Sequence, residues 1–107
     1  MKVTINDIEN DLFDLDTEYR EALAHSLMSL NYLSSSPLQL YYGNIDQQRE
    51  LKRVYETPLK PKQIKKIINY MSDEMKHDFQ FGGFSRIASK YLRIANQMEK
   101  NNKSKER

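Results

Sequence analysis

Between Pro61 and Lys100 apolar side chains recur at steps of three and four, and this constrains the fold more than any other feature of the chain. Ile64, Ile67, Ile68, Met71 and Met75 make one stripe on a 3.6-residue period; Phe84, Ile87, Ala88, Tyr91, Ala95 and Met98 make a second. Helices of this length are marginal in water. The two stripes must therefore be buried, against each other or against the rest of the chain. Phe79-Gln80-Phe81-Gly82-Gly83 joins them, and the glycine pair is the expected site of the chain reversal.

Upstream the same period continues. Thr4 and Asn6 are each followed three residues later by an acid, which is the reciprocal capping pattern of a helix start, and Ile5, Ile8, Leu12 and Leu15 fall on one face. Asp14 to Thr17 suits a break or a fresh start; without it, residues 4–33 form one helix. From Tyr19 the stripe resumes through Leu23, Leu27, Leu30 and Leu33, and Ser34-Ser35-Ser36-Pro37 is expected to end it. Leu38 to Tyr42 alternates like a strand but has no partner strand in view. A packed loop or short helical turn fits it better. Asn44 or Asp46 can cap a further helix, to about Glu56, burying Ile45, Leu51, Val54 and Tyr55, and Pro61 suits the first turn of the next one.

These patterns predict an all-α fold, a small antiparallel bundle of four to five helices over residues 1–100, followed by a frayed or disordered basic tail over 101–107 that has no apolar residue. The content of 38% hydrophobic and 30% charged residues with three glycines agrees with a helical protein rather than a turn-rich sandwich. The absence of cysteine excludes disulfides and every thiolate chemistry. No apolar run approaches a membrane span and no signal peptide is recognisable, so a cytoplasmic location without membrane association is expected.

Charge is distributed unevenly. Residues through Ser36 hold two basic and seven acidic side chains, a net of −5, whereas the remainder holds 15 basic and eight acidic ones, a net of +7. Arg86, Lys90, Arg93 and Lys100 form a ridge on the outer side of the last helix, and Lys62, Lys65, Lys66 and Lys76 point away from the preceding stripe. Such ridges either face water, meet an acidic protein or contact phosphates. The link between the two helices is longer than in a helix-turn-helix, and apart from Ser89, Asn96 and Gln97 the ridge carries little that reads base edges.

Chemistry-bearing motifs are sparse. His25 has Glu21 and Ser29 one helical turn to either side, and His77 follows Asp73 at the same spacing; neither set completes a catalytic or metal constellation. Gly82-Gly83 lacks the lysine and hydroxyl of a phosphate loop. Seven tyrosines and four phenylalanines exceed what so small a core can hide, and the Tyr41-Tyr42 pair suits the rim of a protein interface.

The expected role is non-enzymatic: binding, and so inhibiting or regulating, a protein partner, with Arg86, Lys90, Arg93, Lys100, Lys62, Lys65, Lys66, Tyr41 and Tyr42 as candidate contacts and no cofactor or metal. A nucleic-acid-binding regulator of transcription or replication using the basic face of the last helix is the alternative, and a homodimer is compatible with either. In size, helical character and Lys, Ile, Asn and Tyr usage the chain resembles the small phage, plasmid and bacteriocin-immunity proteins of low-GC bacteria. That likeness is compositional and implies an accessory, partner-binding role without assigning one to any residue.

Overall fold

The computed structural model describes residues 2–105, with side chains through Asn102. Among the described residues there are six helices and no strand: α1 (Ile5–Asp11), α2 (Thr17–Ser29), α3 (Pro37–Tyr41), α4 (Ile45–Glu56), α5 (Pro61–Met75) and α6 (Phe81–Lys105). The principal extents are 45 × 36 × 21 Å. With a helix diameter near 10–12 Å, the short dimension holds two helical layers.

Side-chain caps set the starts of α1, α3 and α4. Thr4 Oγ1 accepts the Asp7 N–H while the Asp7 carboxylate accepts the Thr4 N–H at 2.9 Å. The same reciprocal box starts α3 at Ser36/Gln39 and α4 at Asn44/Gln47. Pro37 and Pro61 stand in the first turns of α3 and α5, where a missing N–H costs nothing. The break at residues 14–17 is present, so the front of the chain is two helices. Asp16 precedes α2 without a side-chain cap; its N–H instead donates to Gln80 Oε1 at 2.9 Å.

Three boundaries differ from the sequence reading. α2 ends at Ser29, well before the serine run, because Asn31 turns left-handed (φ 63°) and the Asn31 and Tyr32 amides bond back to the Met28 and Leu27 carbonyls. Leu33 is buried all the same, from the loop that follows. The reversal before α6 is made by residues 76–80 and not by the glycines: Gly82 and Gly83 lie in the first turn of α6 with negative φ. Asp78 holds that reversal, accepting from Tyr19 Oη and from the Gln80 N–H, both at 2.8 Å. Finally, α6 carries on through Lys105, so the first part of the expected tail is helical; Glu106 and Arg107 lie outside the described residues.

α5 packs along α6, and Lys65 near the start of one pairs with Glu99 near the end of the other, so the two run antiparallel as their stripes require. α2 covers α5, while α4 rests on α1 and α3. One cluster of buried side chains joins them, with Tyr19, Leu27, Ile64, Ile67, Met71 and Phe84 at its centre. Tyr19 and Phe84 stack at 5.5 Å between centroids. The chain before α1 is strapped down by the Leu59 N–H on the Val3 carbonyl at 2.7 Å. Ile45, expected in the core, is 60% exposed: as the first residue of α4 it precedes the face that Leu51, Val54 and Tyr55 turn inward.

Candidate interaction surface

α3 is a single helical turn with one anchor. Leu40 is fully buried, and on a helical turn Leu38, Tyr41 and Tyr42, spaced i, i+3 and i+4, then fall together on the outer side. Their exposures of 68%, 62% and 77%, with Ile45 next to them at the start of α4, leave four large apolar side chains more than half in water. The backbone beneath them is held rather than loose. Gln48 Nε2 donates to the Tyr41 carbonyl (3.1 Å) and the Gly43 carbonyl (3.3 Å), and the caps at Ser36 and Asn44 close the corner on both sides. Tyr41 and Tyr42 meet edge to face at 5.0 Å.

A groove of about 860 Å³ lies beside this corner, walled by Pro37, Leu38, Tyr41, Tyr42, Leu51 and Tyr55. Its charged lining is Glu9, Glu56 and Lys52. A second hollow of about 640 Å³, walled by Ala24 and Met28 of α2 with Arg20, Glu21 and His25, shares Glu9, Pro37, Leu38 and Tyr55 with the first. Through these shared residues the two adjoin as one trough, with Leu38 lining both parts. Burial, together with the nearby Glu9 charge, pushes the Tyr55 phenol well above its ordinary value. Glu50, outside the trough, braces the loop after α2 by accepting the Ser34 N–H at 2.8 Å; the Ser34 amide and hydroxyl and the Arg53 charge hold its carboxyl below the ordinary value, outweighing burial.

The basic ridge is thinner than the sequence suggests. Lys90 is taken up by Asp11 at 2.8 Å and lies over the Tyr91 ring, and Lys65 is taken up by Glu99. Both were expected to face a partner; instead an acid from a distant segment neutralises each, because packing α1 and α5 against α6 brings opposite charges within reach. Arg86, Arg93 and Lys100 remain exposed, and none of them forms an ion pair among the described residues. They stand seven residues apart, a repeat of about 10 Å along the helix. Lys62 and Lys66 are exposed on α5.

The histidines do not make the sets their sequence neighbours suggest. His25 pairs with Glu74 of α5 rather than with Glu21, and the Tyr70 ring meets it edge-on at 5.8 Å. Ser29 accepts from Tyr70 Oη at 2.9 Å. His77 is exposed beyond the end of α5. Among the described residues no group of three or more His, Asp or Glu side chains is placed to hold a metal ion. The sequence reading singled out Tyr41 and Tyr42, which are exposed, but not Leu38, Ile45 and Tyr55 beside them. The signal was present: Ser36 and Gln39 flanking Pro37 mark a helix start, and a helical rather than alternating reading of 37–42 puts Leu38 with the tyrosines. No family model, curated protein or solved structure matches the chain.

Proposed function

We propose that the chain is a small non-enzymatic cytoplasmic protein that binds, and thereby inhibits or regulates, a protein partner through the α3–α4 corner. The observation that carries this reading is the exposure of Leu38, Tyr41, Tyr42 and Ile45 on a backbone locked by two capping boxes and Gln48. Aromatic side chains held rigidly at a surface lose little entropy on binding and are the usual anchors of protein interfaces. Among the described residues no helix is long and apolar enough to cross a membrane. A second reading, binding of nucleic acid by α6, is favoured by Arg86, Arg93 and Lys100, whose even spacing suits contacts to a phosphate backbone.

Affinity purification from the source cell, with and without nuclease, separates the two. The protein-binding reading expects a partner that survives nuclease and is lost with a Tyr41→Ala/Tyr42→Ala double variant. Loss on nuclease treatment, steep salt sensitivity and dependence on Arg86→Ala/Arg93→Ala would replace it with the nucleic-acid reading.

A further inference from the structure

We infer that the occupant of the α3–α4 groove is a partner segment presenting a basic side chain between apolar ones, its cation seated among Tyr41, Tyr42 and Tyr55 and paired with Glu9 and Glu56. This rests on the protein-binding reading above and adds the chemistry of the partner.

Two features of the groove, each independent of the other, select that chemistry. The first is its aromatic content: three tyrosines line one hollow of about 860 Å³. The face of a phenol ring attracts a cation and gives nothing to an anion, and a guanidinium is weakly enough hydrated to lie against such rings. The second is charge. Glu9 and Glu56 line the groove against Lys52 alone, and the adjoining hollow adds Glu21. Arg20, whose guanidinium lies over the Phe13 ring at 4.7 Å, keeps its charge, so the two hollows together set Glu9, Glu21 and Glu56 against Lys52 and Arg20, and the excess of acid lies in the first. Glu9 is only partly exposed, so a cation reaching it would meet a carboxylate already partly withdrawn from solvent rather than a fully solvated side chain.

Apolar residues flanking the cation have their own places. Leu38 and Leu51 line the first hollow, and Met28 and Ala24 lie beyond Leu38 in the second. An amphipathic helix laid along the trough would meet both. The chain's own cations on α6 do not fit this description, because Arg86, Arg93 and Lys100 share their outer face with Ser89, Asn96 and Gln97 and not with exposed apolar residues.

The probe is a pair of short synthetic peptides that share a leucine stripe at helical spacing and differ only in carrying arginine or glutamate beside it. Each is titrated into the full chain by calorimetry, with amide chemical shifts locating the contact. Saturable binding of the arginine peptide is expected, about tenfold tighter than that of the glutamate peptide, with shifts in α1, α3 and α4. A Glu9→Gln/Glu56→Lys variant should erase the preference; Glu9→Gln keeps the size of the side chain, and Glu56 is exposed, so the fold is spared. Tyr41→Ala/Tyr42→Ala should weaken the arginine peptide about tenfold or more. No binding, equal affinity for both peptides, a preference unchanged in the glutamate variant, shifts confined to α5 and α6, or self-association of the chain through this corner would each overturn the inference. Should that happen while a cellular partner is still captured through Tyr41 and Tyr42, protein binding stands and only the basic side chain is discarded.

Discussion

Asn31 shows how much one backbone angle can decide. Its φ of 63° ends α2 and sends the chain toward the loop that buries Leu33. Asparagine tolerates this region where alanine is strained, so Asn31→Ala should cost about 1 kcal/mol in chemical denaturation while Asn31→Gly should cost nothing or stabilise. Asp11 decides on charge. Burial alone would raise its carboxyl, but hydrogen bonds from Lys90 and Tyr91 and the Lys90 charge outweigh it and hold the group below its ordinary 3.8. A depressed acid contributes stability that is fully present above the unfolded value and is lost as pH falls through the folded one. Denaturation midpoints measured from about pH 5 down to about pH 2 should therefore fall less steeply for Asp11→Asn than for the native chain.

At the level of elements, the two glycine-bearing corners make opposite demands. A Cβ on Gly82 would meet nothing within 4 Å, and the residue is already helical, so Gly82→Ala should stabilise α6 by about 0.5–1 kcal/mol. A Cβ on Gly43 would fall 2.0 Å from Gln47 Oε1 and 3.0 Å from the Gln39 carbonyl oxygen. Gln47 can swing away only by releasing the Asn44 N–H, which it accepts at 2.8 Å, and so by opening the cap of α4. Gly43→Ala should cost about 1 kcal/mol in thermal denaturation and loosen the aromatic corner, weakening partner capture more than stability. Caps of this kind were legible in the sequence because both partners lie within one turn. The outward face of α3 was not, since its orientation depends on Leu40 finding the core.

For the molecule as a whole, one buried cluster spans all six helices, and Phe84 of α6 lies within it, 5.5 Å from the Tyr19 ring of α2 and 5.8 Å from the Phe81 ring of its own helix. Removing the Phe84 ring should cost about 3–5 kcal/mol. Against a domain stability of about 5–15 kcal/mol, Phe84→Ala should leave a marginal protein whose helical signal and tyrosine fluorescence are lost together in one transition. Unfolding in two separated steps would show instead that α1, α3 and α4 hold together without the α5–α6 pair.

The sequence by itself determined the helical period, most caps and prolines, and the apolar sides of α2, α5 and α6, since each follows from residues within four positions of one another. Only the tertiary structure decided which charges survive at the surface and which apolar side chains are left uncovered. Lys90 finds Asp11 from 79 positions away, and Tyr41, Tyr42 and Leu38 are stranded outside because Leu40 takes the one place in the core that α3 can reach. Those outcomes depend on which elements meet in space, and residues far apart in the chain carry no local mark of it.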